Sequence, residues 1–418
     1  MANQATAERR SHIYRNLFKN QTLMLLWSGK SISVIGDAIF DVAVMWVIYA
    51  QSGSTFQSAL IGVAAQLSSV IMSPVAGAVA DRWDRKTIMW TTNLFSAIVV
   101  ALVSVVFFTV GHLPLWIALA SILILNGLTV FLGPAETSIM PAIVGKEQLT
   151  SAYGIFSTVV QSANLIGKGI AGVAIAAIGS SWALLGDSLT FIIVTICILL
   201  ARIPKKEITL AAESNKSSMI SDIKGGWKYM DKHPTLKTLI WLAFLVNITS
   251  FMGPLYPAFV ETQLHGGATA YGIIQASTVI GAMFGGICTG FFDKRFKAGP
   301  LLGVSLLIAS LATFGIAFSK MLLMAVFFQI IQTFFTSLSS VLIMSAQLVL
   351  VSDEYRGRIR GLMMSMAMLA MPISTLIAGG IGEVINISYL FAFAALWTLG
   401  IALFSLQNTK IRNLDTKS

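Results

Sequence analysis

The chain has 418 residues, 56% of them hydrophobic and only 11% charged, with a mean hydropathy of +0.80 and a formal net charge of +10. A soluble domain carries roughly 25% charged residues, so a water-soluble globule is excluded. The apolar runs reach the ~20 residues of a spanning helix, and the reading is an all-α polytopic membrane protein.

The N-terminal stretch Met1–Asn20 is polar and basic and lacks the apolar core of a cleavable signal peptide, so the first span serves as its own targeting signal. Apolar runs separated by turn or charge signals predict twelve spans, at 22–50, 57–79, 88–110, 115–140, 152–178, 182–202, 238–260, 271–292, 300–318, 321–350, 361–382 and 388–406. Of the 28 lysines and arginines, 25 fall before the first span, in the even-numbered connections or in the tail. The positive-inside rule then places both termini in the cytoplasm. It also accounts for the basic balance through anionic headgroups, so a lipid bilayer is the expected partner and nucleic acid is not.

The long connection divides the spans six and six. The expected organisation is a cytoplasmic N-terminal segment over 1–21, a six-helix bundle over 22–203, a cytoplasmic central loop over 204–237, a second six-helix bundle over 238–407 and a cytoplasmic tail over 408–418. Within the loop, Ile220–His233 reads as a short amphipathic helix at the membrane surface, with Trp227 and Tyr229. The charged turn Asp81-Arg82-Trp83-Asp84-Arg85-Lys86 between the second and third spans has an echo in Asp293-Lys294-Arg295-Phe296-Lys297 at the matching place of the second half. That repetition suggests internal repeats.

Ionisable residues inside spans are costly, at least ~2.5–3.5 kcal/mol each on insertion scales, and face a bundle interior or water. The first span holds Lys30, Asp37 and Asp41, within about 20° of one line down a helix. Two carboxylates one turn apart repel, so one of them is expected to hold a proton at neutral pH, the physical requirement for proton coupling. The structural alternative has Lys30 pairing with an acid elsewhere or snorkelling to the cytoplasmic interface, and Asp37 only bonding a neighbouring helix. The fifth span carries Gln161, Asn164 and Lys168 on one face, with Gly167, Gly169 and Gly172 allowing close helix contact. Lys168 is expected to meet Asp37, Asp41 or an anionic group of a substrate. Glu136 and Asp187 near span ends are expected to bond loop cations or helix ends. The second half offers no charge within a span apart from Glu383 at an outer edge, and presents Asn247, Gln275, Gln329, Gln332, Thr336 and Gln347 instead.

Cys197 and Cys288 lie in apolar segments, and the four histidines are scattered, so neither a disulfide framework nor a metal site is expected. Without a phosphate-binding loop, dinucleotide fingerprint or nucleophile elbow, neither an enzyme nor an ATP-driven pump is expected.

Gly77, Asp81, Arg82, Arg85 and Lys86 resemble the signature loop of the major facilitator superfamily, with Asp84 where that pattern commonly has glycine. A narrower likeness to the macrolide-efflux and siderophore-export branch lies in Gly36-Asp37, Phe131 with Pro134-Ala135, Met140-Pro141-Ala142-Ile143-Val144 and Arg356-Gly357-Arg358. The resemblance implies the major facilitator fold and proton-driven export by alternating access. It also implies that the signature loop, Asp81 and Arg82 first and Arg85 after them, latches one conformation. Lys168 departs from the branch, which usually has proline there, and so does Asp41, where a carboxylate is not typical. The expectation is a monomeric secondary transporter of the cell membrane, without cofactors and driven by the proton gradient, that exports amphipathic small molecules. Asp41 and Asp37 would be its proton-responsive pair, with Lys168, Gln161, Asn164 and Lys30 as substrate contacts or charge partners. Export of a siderophore or other metallophore, a lysolipid flippase or importer of the same fold, and a membrane receptor that does not transport stand as alternatives.

Overall fold

A computed structural model describes residues 17–203, 219–352 and 354–414. Within the second helix several side chains, those at Gly77, Asp81 and Arg82 among them, lie outside the description. Every regular element among the described residues is helical. The first half contains α1 (Gln21–Ser52), α2 (Thr55–Arg82), α3 (Arg85–Val110), α4 (Leu115–Ile143), α5 (Leu149–Ile178) and α6 (Ser180–Leu200). The second contains α7 (Met219–Lys232), α8 (Pro234–Asn247), α9 (Met252–Thr262), α10 (Ala268–Arg295), α11 (Ala298–Ala317), α12 (Leu322–Leu350), α13 (Arg356–Gly382), α14 (Ile387–Gln407) and the short α15 (Thr409–Arg412). Among the described residues, twelve helices are long and apolar enough to cross a membrane, with α8, a 3₁₀ turn at Ile248–Phe251 and α9 counted as one span over Pro234–Thr262. The protein is a multi-pass membrane protein.

Helix ends follow local chemistry. Asp84 caps α3, its carboxylate accepting from the Thr87 N–H at 3.1 Å, and Asn386 caps α14 by accepting from the Ser388 N–H at 2.9 Å. Gly111 closes α3 with φ 76°, a left-handed conformation that favours glycine. The seventh span, expected as one helix over 238–260, is instead interrupted. Pro254 and Pro257 supply no N–H to the preceding turn and crowd its carbonyls, so the backbone tightens into the 3₁₀ turn just before α9.

The chain divides into two compact units: the described residues within Met1–Gln51 and Leu67–Leu210, and those within Ser52–Gln66 and Ala211–Ser418. In the first, α3 packs on α6 and α4; in the second, α11 packs on α14 and α12. The same third-with-sixth and third-with-fourth pairings thus occur in each set of six spans, as an internal repeat would produce. Side chains left at the surface, such as Leu323, Ile287 and Phe291, are large and apolar, which suits lipid rather than water.

Candidate functional site: a charge cluster in the first bundle

Two glycines set the site. A Cβ on Gly167 of α5 would stand 2.8 Å from Ala38 Cβ and 2.9 Å from the Ile35 carbonyl, so α5 crosses α1 in near-backbone contact one residue before Lys168. A Cβ on Gly36 would overlap the Asp187 carboxyl and the Thr190 hydroxyl, so α6 meets α1 one residue before Asp37. These approaches bring charges from α1, α5 and α6 together.

Lys30 Nζ donates to Glu136 Oε1 of α4 at 2.8 Å, both side chains being about one fifth exposed (19% and 18%). Of the readings open to Lys30, this is the structural pairing with an acid elsewhere, and Glu136 pairs with a span residue instead of a loop cation. One turn on, Ser33 Oγ donates to Asp37 Oδ2 at 3.4 Å, and Asp37 also lies within the fields of Lys30, Asp41 and Glu136. Asp41 faces open space on α1 and takes its opposing charge from Lys168. Gln161 and Asn164 share the Lys168 face, Gln161 exposed and Asn164 half-buried.

Asp187 belongs to the same cluster, and sequence reasoning assigned it elsewhere. Its carboxyl is 1% exposed; Oδ1 accepts from the Thr190 hydroxyl at 3.0 Å, while Oδ2 is buried with no partner. Its nearest charges are Asp37 and Asp41, where loop cations or a helix end had been expected. The signal that could have found it was Gly36 beside Asp37, a small residue where a neighbouring helix must come close.

The cluster therefore holds four carboxyl groups, Asp37, Asp41, Glu136 and Asp187, against two ammonium groups, Lys30 and Lys168. Fully ionised, it would carry two uncompensated negative charges inside the bilayer, each costing several kcal/mol. Added positive charge would lower that cost. Among the described residues, no group of three or more His, Cys, Asp or Glu side chains is placed to hold a metal ion.

Of the signature-loop residues, Arg85 donates from Nη1 to the Ser138 carbonyl of α4 at 2.6 Å. Lys86 Nζ donates to the Leu199 and Ala201 carbonyls at 2.8 Å each, closing the end of α6. Both anchor the start of α3 within its own unit. The side chains of Gly77, Asp81 and Arg82 lie outside the described residues. In the second unit the polar residues are largely bonded to one another. Tyr256 donates to Gln329, which donates to Thr278 at 2.9 Å, and Gln275 donates to the Tyr271 hydroxyl at 3.2 Å.

The family model described as transmembrane secretion effector matches residues 16–418. Macrolide efflux protein A of Streptococcus pyogenes is 26% identical over 406 residues, covering 94% of this chain and 97% of its own length. The multidrug efflux pump Tap of Mycolicibacterium fortuitum is 22% identical, with 96% of this chain and 98% of its own covered. Among solved structures, the nucleoside transporter NupG superposes with a TM-score of 0.75 at 13% identity, over 93% of this chain and 98% of that one, a likeness of fold.

Proposed function

The chain belongs to the transmembrane secretion effector family of the major facilitator superfamily, and on that premise we propose that it exports cationic amphipathic small molecules, of the macrolide and multidrug kind, in exchange for protons. The observation that carries this reading is the excess of carboxyl over ammonium groups in the first bundle. A proton and a protonated amine compete for the same acids: binding one makes the other redundant, and that competition is the thermodynamic content of antiport. Asp41 is the expected first contact for an amine, being the exposed acid of the cluster, and Asp37 behind it the expected proton acceptor. The names of the efflux relatives support the substrate class. Arg85 and Lys86, with Asp81 and Arg82 beside them in sequence, would serve the conformational latch that the superfamily resemblance implies.

A second reading rests on Lys168, whose ammonium acts on Asp41 from the wall of α5. An anionic chelator would use it as a counter-charge, and the protein would then be a metallophore exporter.

Proteoliposomes loaded with a pH-sensitive dye separate the two. Proton movement driven by erythromycin, and its loss in both Asp41→Asn and Asp37→Asn, is the expected result. Proton movement with a carboxylate chelator alone, sensitive to Lys168→Gln, would replace drug export with the second reading. An Asp41→Asn protein that still exchanges drug for protons at the full rate would end the assignment of Asp41.

A further inference from the structure

Alongside the charge cluster, the first bundle encloses a small cavity between α1, α3, α4, α5 and α6, of about 40 Å³. At roughly 10–15 Å³ of such volume per molecule, it has room for about three or four waters. Most of its wall is apolar, but besides Ser33 three polar features line it. Trp27 Nε1 and Asn93 Oδ1 are 3% and 2% exposed at the residue level and have no hydrogen-bond partner in the protein. The Lys30–Glu136 ion pair is the third. Leaving a buried N–H or amide oxygen unpaired costs ~1–3 kcal/mol, and native interiors avoid this by using water where the space is polar and large enough.

The cavity also has a direction. Its wall runs along α1 from Leu23, near the start of the helix, to Ser33, about 15 Å at 1.5 Å per residue. Ser33 lines it and donates its hydroxyl to Asp37. We infer that this cavity is a hydrated passage, its water held by Trp27 Nε1, Asn93 Oδ1 and the Lys30–Glu136 pair, and that it carries protons between the start of α1 and Asp37 through Ser33. The transfer makes and breaks only O–H bonds. A proton entering from solvent at the start of α1 passes from water to water, each taking one proton as it gives one. The last gives a proton to the Ser33 oxygen as Ser33 gives its own to Asp37, so no hydroxide is left, and the reverse sequence discharges the acid. The proton role rests on the exchange proposed above; the hydration does not.

Hydroxyl-radical footprinting by X-ray pulses tests the hydration, because bound internal water generates radicals in place. In the full-length protein in lipid nanodiscs, Trp27 and Met140 should be oxidised as fast as the exposed Met321, although they are 3% and 6% exposed, and far faster than Met230, buried in an apolar cluster at 0%. Asn93→Leu, which fills the cavity, should abolish that fast labelling and slow erythromycin-driven proton movement. Trp27→Phe, which removes one N–H and keeps the ring, should weaken the labelling of Met140 without the packing risk of the larger change. Met140 labelled no faster than Met230 in the wild-type protein would overturn the proposal. So would an Asn93→Leu protein that folds, loses the labelling and still moves protons at the wild-type rate. Wild-type protein that moves no protons with any substrate would instead remove the exchange reading and the proton role with it, while the labelling pattern still decides whether the cavity is wet.

Discussion

Lys30 and Glu136 hold each other at the border between a buried and a surface pair, and the consequence of breaking them follows from that position. A fully buried pair loses 3–5 kcal/mol when one partner is removed. With both side chains about one fifth exposed, Lys30→Met is expected to cost about 1–3 kcal/mol, read as a lower thermal midpoint in detergent. Adding Glu136→Gln should restore most of it, because the loss comes from the stranded carboxylate. Asp187 should behave oppositely. It has no cation to lose, so Asp187→Asn is expected to leave the midpoint unchanged or raised, since the amide needs no counter-charge. The same variant should alter the number of protons exchanged per drug, measured as dye response against drug uptake.

Helix contacts explain features that single residues do not. Where α2 begins, Ser54 Oγ and the Phe56 N–H donate to Glu383 Oε1, just past α13, at 2.7 and 2.8 Å, and the Thr55 hydroxyl donates to the Gly379 carbonyl at 2.8 Å. A Cβ on Gly379 would overlap Ala59, so glycine is what lets the two helices touch. The carboxylate acts as an N-cap supplied by another helix. The Phe56 N–H, followed by the Ser54 hydroxyl, holds the Glu383 carboxyl below its ordinary range. A lowered value means the contact is at full strength above the ordinary glutamate range and is lost as pH falls through the lowered value. Amide exchange at the start of α2 should therefore quicken on acidification, and in Glu383→Gln it should be faster at neutral pH and respond less to acid. A comparable dependence governs α5. With Gly167 in near-backbone contact with α1, Gly167→Leu is expected to separate the helices, lowering the thermal midpoint and abolishing drug-dependent proton movement together.

The long connection between the two sets of six spans shows how a short helix is fixed. On α7, Tyr229 stacks on Tyr355 at 4.4 Å and accepts from the Ser352 N–H at 3.3 Å, while Gly226 lies against the Arg358 carbonyl. The amphipathic helix expected at Ile220–His233 is present as Met219–Lys232, and its aromatic side chain serves protein packing as well as any membrane surface.

Among the described residues, the clustered charges lie in the first six spans, and those of the last six, such as Lys237, Glu261 and Asp293, stand near span ends. The first six carry the charge cluster; in the last six Tyr256, Gln329 and Thr278 bond one another, Asn247 bonds the Ala243 carbonyl, and the buried Gln347 amide nitrogen has no protein partner. On the exchange proposed above, the protein would draw its energy from the proton gradient. Drug efflux from everted vesicles or cells should stop when a protonophore collapses the gradient and continue when ATP is depleted with the gradient maintained.

Local patterning determined most of the architecture. Twelve apolar runs, their charged connections, the amphipathic helix and the family likeness are all properties of neighbouring residues, since hydropathy and helical periodicity act over one or two turns. The α1 charges were legible for the same reason: Lys30, Asp37 and Asp41 stand out against an apolar run. Their partners were not. Glu136 lies 106 positions from Lys30, Asp187 reaches Asp37 only because Gly36 admits α6, and Glu383 caps a helix more than 300 positions away. The break in the seventh span is a local feature, marked by Pro254 and Pro257. Which helices touch, and which carboxyl is left with a cation and which without, depends on close approach between distant segments, and in lipid that approach is set by small residues and shape because no hydrophobic force selects it.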